Sequence, residues 1–361
     1  MHAMPTTEVI GSVTLDFDSE HLIIGVDTDI RQGLSAVALD GDSLWLACDE
    51  GCRLERLSRI RSGLTFAAHE VFPLENLLTL PAPSTEEADI EGLHAEDGWL
   101  WLVASHSVKR KKPKKNDAAA AVAKKLADTS RDGNRHLLAR VPIAGNVPRR
   151  VDGSRRAASI DSTAASSALL DALVPPDNAA AADQHLGAFV PLPGKDNGFD
   201  IEGLAVAGMR AFVGLRGPVL REWCCILEVP LEDDGDRLVL TPGGDGITYR
   251  KHFLKLNGLG VRDLVVFEED LLVLAGPTMA HDGPAEIWRW KNGAKPGASV
   301  SPSDITRLLV LPQRQGNDRP EGLALFEQGA GITSVLVVFD TPAPERRVSE
   351  SSVTADLYRL P

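Results

Sequence analysis

Three glutamates recur in one phrase: Asp89-Ile-Glu-Gly-Leu93, Asp200-Ile-Glu-Gly-Leu204 and Arg319-Pro-Glu-Gly-Leu323. Two weaker copies, Gly33-Leu-Ser-Ala-Val37 and Gly260-Val-Arg-Asp-Leu264, put Ser35 and Arg262 where the others carry Glu91, Glu202 and Glu321. Carboxylates gathered on one axis cannot all stay ionised without a counter-charge. Three solutions are open. Glu91, Glu202 and Glu321 could hold a calcium ion, a hard cation that takes six to eight oxygens. Arg262 could neutralise the ring without metal. Each Glu could instead accept backbone amides of a neighbouring repeat, with the following Gly allowing close packing.

Other residues fit the same chemistry. His106 is the candidate for moving protons, with Glu91 of its own repeat orienting it. Arg216 precedes Gly217-Pro218 and is suited either to a bidentate anion contact or to a salt bridge with an adjacent Glu. Arg262, Lys109, Lys195, Asp49 and Glu50 complete the candidate ligand-binding set. Other templates are missing: the sequence has no GxSxG, GxxxxGK[ST] or HExxH, and no GxGxxG between strand and helix. Cys48 and Cys52 flank a turn and Cys224 and Cys225 are adjacent, so no zinc-type pairing is spelled out and reduced thiols are expected.

The elements that must position these groups are short and alternate in polarity. After each phrase come a polar turn and an apolar strand, at 43–48, 99–104, 210–215, 270–275 and 333–340. A third strand follows at 52–57, 136–142, 224–230, 286–290 and 355–360. A fourth follows at 66–73, 185–193, 248–256 and 305–312, and its missing last copy can be supplied by 9–17. Period-2 patterning bounded by Gly, Pro and Asp marks all of these as strands.

The fold expected is therefore all-β: a single β-propeller domain over 1–361 with five blades of four antiparallel strands, closed by strand exchange between the N- and C-termini. Six blades is the alternative, because Glu91 and Glu202 are spaced about twice as far apart as the other repeats. Two segments read as inserts: a basic, Ala/Lys-rich one at 108–135, and an Ala/Ser-rich one at 146–184 with a short helix at 165–173. In a propeller the start of each phrase faces the tail of the strand after it. One rim should then carry Glu91, Glu202, Glu321, Asp49, Glu50 and Asp340, opposed by Arg262, Arg216, His106 and Lys109. The 195–200 loop should reach the same face, with the 108–135 insert as a lid.

Composition narrows the partners. Of 361 residues, 51 are acidic and 38 basic, a net charge of −13 that speaks against nucleic acid or an anionic membrane. No apolar run approaches the roughly 20 residues of a membrane span, and residues 1–20 show no secretory pattern, so a cytoplasmic monomer is expected.

The phrases Leu44-Trp-Leu-Ala-Cys-Asp-Glu50, Asp89-Ile-Glu-Gly-Leu93, Ser105-His-Ser107 with Lys109-Arg110, Lys195-Asp-Asn-Gly-Phe-Asp-Ile-Glu-Gly-Leu204, Gly214-Leu-Arg-Gly-Pro218 and Leu271-Leu-Val-Leu-Ala-Gly-Pro277 resemble the bacterial domain-of-unknown-function family 3616 over about 34–342. The repeated Asp-Ile-Glu-Gly element is similar to that of phytase-like esterase propellers and of calcium-carrying propellers regulated by quorum sensing. That resemblance implies a propeller with an acidic mouth, calcium and phosphate-ester chemistry. Ser35 and Arg262 depart from the acid in two of five repeats, against a dense multi-calcium site.

Two functions are expected from different classes. One is a binding module that takes a small anionic ligand, an ion or a protein at the channel mouth. The other is a divalent-metal-dependent hydrolase of a small anionic ester, with Arg216, Arg262 and Lys109 on the anion and His106 moving protons. Neither needs an organic cofactor.

Overall fold

The computed structural model describes residues 8–24, 28–61, 63–279, 281–314, 316–328 and 332–361. The chain is all-β, with a few short helices, and its strands form four-strand antiparallel arrays. β1 is Val9–Asp16. The first array runs β2 (Leu34–Asp40), β3 (Ser43–Cys48), β4 (Arg53–Arg59) and β5 (Thr65–Pro73). The next runs β6 (Ile90–Glu96), β7 (Trp99–Ala104), β8 (Leu138–Ala144) and β9 (Ala158–Ile160). The third runs β10 (Asp200–Ala207), β11 (Arg210–Gly217) and β12 (Trp223–Asp234), with β13 (Arg237–Leu240) and β14 (Arg250–Lys255) both pairing with β12. Then come β15 (Gly260–Phe267), β16 (Asp270–Gly276), β17 (Glu286–Trp290) and β18 (Ile305–Val310). The last array is β19 (Arg319–Gln328), β20 (Ile332–Asp340) and β21 (Ser352–Arg359), completed by β1 from the other end of the chain.

The first strands of the arrays, β2, β6, β10, β15 and β19, pack side by side in that order, and β19 returns to β2. This propeller-like ring explains the sequence pattern. Second strands such as β3 and β16 are buried throughout and read as continuous apolar runs, because both faces lie under a neighbouring array. The outermost β5 alternates with solvent. A separate hydrophobic cluster fills each space between arrays; Trp45, Ala47 and Leu54 of the first meet Leu93 and Leu102 of the second. Cys224 and Cys225 fall in different clusters, as adjacent strand residues must. Parallel contacts of β1 with β5 and of β9 with β13 cover outer edges that would otherwise be open to other chains.

One expected strand is displaced. Residues 185–193 do not form the fourth strand of the second array; that place is taken by β9, inside the segment expected to be an insert. Pro191 and Pro193 cannot donate to a ladder. The segment instead turns through a 3-10 helix at Gly187–Phe189 and buries Leu186 and Val190 beside Phe199. The helix in 146–184 is Ala168–Leu173, capped by Ser167, whose hydroxyl accepts the Leu170 amide at 3.3 Å. The 108–135 segment carries a short ribbon, Lys109–Arg110 with Thr129–Ser130, and a helix at Ala119–Ala127. No helix of the described residues is long and apolar enough to cross a membrane.

The glycine after each Glu is a packing requirement. A Cβ on Gly203 would lie 2.9 Å from Asp263 Cα and 3.0 Å from its carbonyl carbon, on the next first strand. Backbone atoms cannot swing aside, so Gly203→Ala is expected to cost about 1–3 kcal/mol. Gly244→Ala, where a Cβ meets nothing within 4 Å, is the control. Thermal unfolding of the two variants beside the parent protein checks this, and equal melting temperatures would refute it.

Candidate ligand site at the channel mouth

In each first strand the ladder slips by one residue at the same place in the phrase. Ser35, Glu91, Glu202, Arg262 and Glu321 are the extra residues. A bulge re-aims its side chain and adds local twist, and this device brings the recurring Glu position toward the axis. Arg216 is likewise skipped in the pairing of β11 with β10.

The floor of the channel is a ladder of arginines and acids. Arg262 Nη1 donates to Glu202 Oε2 at 2.7 Å and to Glu321 Oε1 and Oε2 at 2.7 and 2.6 Å. Its Nη2 donates to the Pro277 carbonyl at 2.8 Å. Arg216 pairs with Asp200 and with the other oxygen of Glu202. Arg135 pairs with Asp89 and donates to the hydroxyls of Ser105 and Ser107 at 3.1 and 2.8 Å. Burial raises the Asp200 pKa, with Arg216 pulling against it. The backbone-amide role expected of the Glu residues falls instead to Asp263, which occupies the Gly position of its phrase. It accepts the Leu264 and Leu323 amides, both at 2.7 Å, and so ties two first strands together. Ser35 donates its hydroxyl to the Ile90 carbonyl at 2.5 Å.

Above this floor lies a cavity of about 520 Å³, lined by Asp49, Glu50, Glu91, Lys109, Lys195, Arg216 and Glu321 among others. Arg262 lines an adjoining recess that shares Lys195, Arg216 and Glu321. The structure therefore collects the expected ligand-binding and carboxylate residues at one end of the channel. Lys109 lies 2.7 Å from Glu87 and also pairs with Asp132, and Arg110 lies 2.6 Å from Asp196. These contacts hold the 108–135 segment at the rim. Glu50 is exposed and accepts the Thr28 hydroxyl.

His106 is not brought there. It is fully buried, with φ of 54°, and its Nδ1 faces the Ala104 carbonyl at 3.0 Å. Burial lowers its pKa to about 3, so the ring is neutral, and no hydrogen bond joins it to Glu91 among the described residues. Its left-handed backbone turns the side chain into the body of the protein, against the expectation of a proton carrier at the mouth.

Three carboxylates lining the cavity form no salt bridge among the described residues: the exposed Glu50, and Asp49 and Glu91 further in. Burial, then the charges of Asp89 and Asp340, push Asp49 up to about 7, with Lys195 opposing them. Burial, then Asp89, Glu202 and Asp49, raise Glu91 well above the usual carboxylate range. Glu202 and Glu321 do not leave an open coordination position, since both hold Arg262. Among the described residues, no group of three or more His, Cys, Asp or Glu side chains is placed to hold a metal ion. In this arrangement the donor set does not fit a resident calcium ion.

Sequence reasoning missed Asp89, Asp200 and Arg135. The two aspartates stand in the recurring phrase itself, two residues before the Glu, and that spacing was the available signal. Arg135 closes the 108–135 segment, and nothing local marks it.

Among curated proteins, none matches the chain. It is similar in fold to the glutaminyl cyclase of Myxococcus xanthus, with 11% identity, 98% of this chain and 97% of that one covered, and a TM-score of 0.41. It is also similar to the PQQ-bound aldose sugar dehydrogenase of Streptomyces coelicolor, with 11% identity, coverage of 98% and 100%, and a TM-score of 0.38. A chain of a mitotic checkpoint complex is matched over 94% of this chain and 64% of its own length, at 10% identity and a TM-score of 0.32. Likeness at this level bears on neither ligand nor reaction. The sequence family is clear: its model matches residues 33–356, and the chain belongs to the family described as protein of unknown function, DUF3616.

Proposed function

We propose that the chain is a five-bladed propeller that binds a small ligand at its acidic channel mouth, through a cationic or hydrogen-bond-donating group seated between Glu91 and Asp49. One observation carries this reading. Each of the inner acids Asp89, Asp200, Glu202 and Glu321 has a guanidinium on it, whereas Glu91 and Asp49 face a cavity of about 520 Å³ with none. The sequence had suggested an anionic ligand held by Arg216 and Arg262, but both arginines are engaged by carboxylates. The metal-dependent hydrolase reading asks more of the molecule: Glu202 and Glu321 must release Arg262, and His106 must leave the interior. Binding at Glu91 and Asp49 asks for neither.

The test is calorimetric titration with agmatine and putrescine as cationic probes, inorganic phosphate as the anionic one and glycerol as the neutral one. The cations are expected to bind, and Glu91→Gln is expected to weaken them about tenfold, the equivalent of about 1.4 kcal/mol. Phosphate binding without cation binding would overturn the reading and restore the anionic ligand, and so would cation binding unaffected by Glu91→Gln.

A further inference from the structure

Four oxygens close on one guanidinium at the channel floor. Glu202 Oε2 and both Glu321 oxygens lie 2.6 to 2.7 Å from Arg262 Nη1, and the Pro277 carbonyl lies 2.8 Å from Nη2. All four are hard oxygen donors, the kind calcium takes at about 2.3–2.6 Å. The three glutamate oxygens sit at the upper edge of that range around Nη1, and the Pro277 carbonyl sits a little beyond it around the neighbouring Nη2.

Arg262 reaches this place by the route that delivers the glutamates. It is the bulge residue of β15, as Glu202 is of β10 and Glu321 of β19. Its stem passes over Gly276 on the paired strand, where a Cβ would lie 3.0 Å from Arg262 Cγ and 3.1 Å from Nε. Any larger residue at 276 would press on the arginine, so the seat is shaped for it. The side chain is 9% exposed, and a buried cation so placed is held by the charges around it.

We infer that Arg262 is a built-in replacement for a divalent cation, and that removing its guanidinium turns the oxygens of Glu202, Glu321 and Pro277 into a calcium site. The inference is independent of the ligand reading above, since it concerns the floor of the channel and not Glu91 and Asp49 at its mouth. The parent protein then needs no metal to neutralise its floor. An arginine-to-methionine change leaves Glu321 without its cation and Glu202 with Arg216 alone, both carboxylates already aimed at one point, and a space that calcium and its remaining waters can enter. Arg216 keeps its hold on the other Glu202 oxygen, which fixes that carboxylate but also adds a nearby positive charge. The site should therefore be of modest affinity.

Thermal unfolding and calorimetry of chelator-treated protein test this. The parent protein is expected to melt at the same temperature in EDTA and in millimolar calcium. Arg262→Met is expected to melt lower in EDTA and to regain about 5 °C or more in calcium, with a smaller gain in magnesium, which demands stricter octahedral geometry. Adding Glu321→Gln to that variant should abolish the gain. Arg262→Lys keeps the positive charge and should fold and stay indifferent to calcium. Four results would overturn the inference: calcium binding by the parent protein that is lost in Glu202→Gln, a folded Arg262→Met that ignores calcium, failure of Arg262→Met to fold in either condition, or an Arg262→Lys that responds as the methionine variant does.

Discussion

Arg216→Met is expected to destabilise the protein by about 3–5 kcal/mol, because it leaves buried Asp200 without its ion-pair partner and Glu202 with Arg262 alone. Arg216 is 7% exposed and bridges Asp200, 2% exposed, with Glu202, 3% exposed. A carboxylate stripped of its partner in such a place either remains charged at great cost or takes up a proton. The loss should therefore depend on pH. Asp200 already has its pKa raised by burial while the arginine opposes the rise, so without the arginine it rises further. The variant then binds more protons folded than unfolded over a wider range, and its stability falls more steeply as pH increases. Urea unfolding at pH 5.5 and pH 8.5 should show the smaller deficit at the lower pH. Arg216→Met combined with Asp200→Asn and Glu202→Gln should recover much of the loss, since replacing a whole buried ion cluster is far less harmful than breaking it. A triple variant no more stable than the single one would assign the cost to lost packing instead.

Much of this architecture was legible in the chain. The Glu-Gly-Leu phrase could be read because its glycine is fixed by contact: Gly92, Gly203 and Gly322 each face a neighbouring first strand at distances no side chain tolerates. Second strands were readable because both their faces are covered, so Ser43–Cys48 and Trp99–Ala104 fall where the apolar runs lie. The fourth strand of the second array was not legible. Ala158–Ile160 has only three residues, too few for a period, whereas 185–193 has an apolar alternation that serves burial and not pairing. The site was half visible. Residue type and spacing gathered Glu91, Glu202, Glu321, Asp49 and Arg262, since topology alone sends those positions to one rim. The direction of His106 was beyond reach, because it turns on the sign of one φ angle, 54°. Arg135 was hidden for a different reason. Its partner Asp89 lies in the loop just before β6, far from Arg135 along the chain, and only the folded chain places the two together.

Asp49→Asn is expected to become more stable than the parent protein as pH rises, by roughly 4 kcal/mol above neutrality relative to its standing in acid. The sign follows from the direction of the shift. Asp49 has its pKa raised from 3.8 to about 7, so the folded state keeps a proton that the unfolded chain releases. Below 3.8 both states hold the proton and the residue contributes no pH dependence. Between 3.8 and about 7 the parent protein loses about 1.4 kcal/mol per pH unit from this group, and above 7 the loss is complete. Asparagine does not titrate, so the variant lacks this slope. Denaturant unfolding of both proteins from pH 4 to pH 8.5 reads it directly, and parallel curves would mean that Asp49 is not held protonated by its surroundings. The same residue connects stability to binding. A carboxylate whose charge opposes folding at neutral pH is tolerable where a ligand supplies the missing positive charge, and such a ligand stabilises the folded state by mass action. Agmatine should therefore raise the melting temperature of the parent protein more at pH 8.5 than at pH 5.5, whereas Asp49→Asn should lose most of that pH dependence. An equal agmatine effect at both pH values in the parent protein would separate the buried charge of Asp49 from the ligand, and leave Glu91 to carry the site alone.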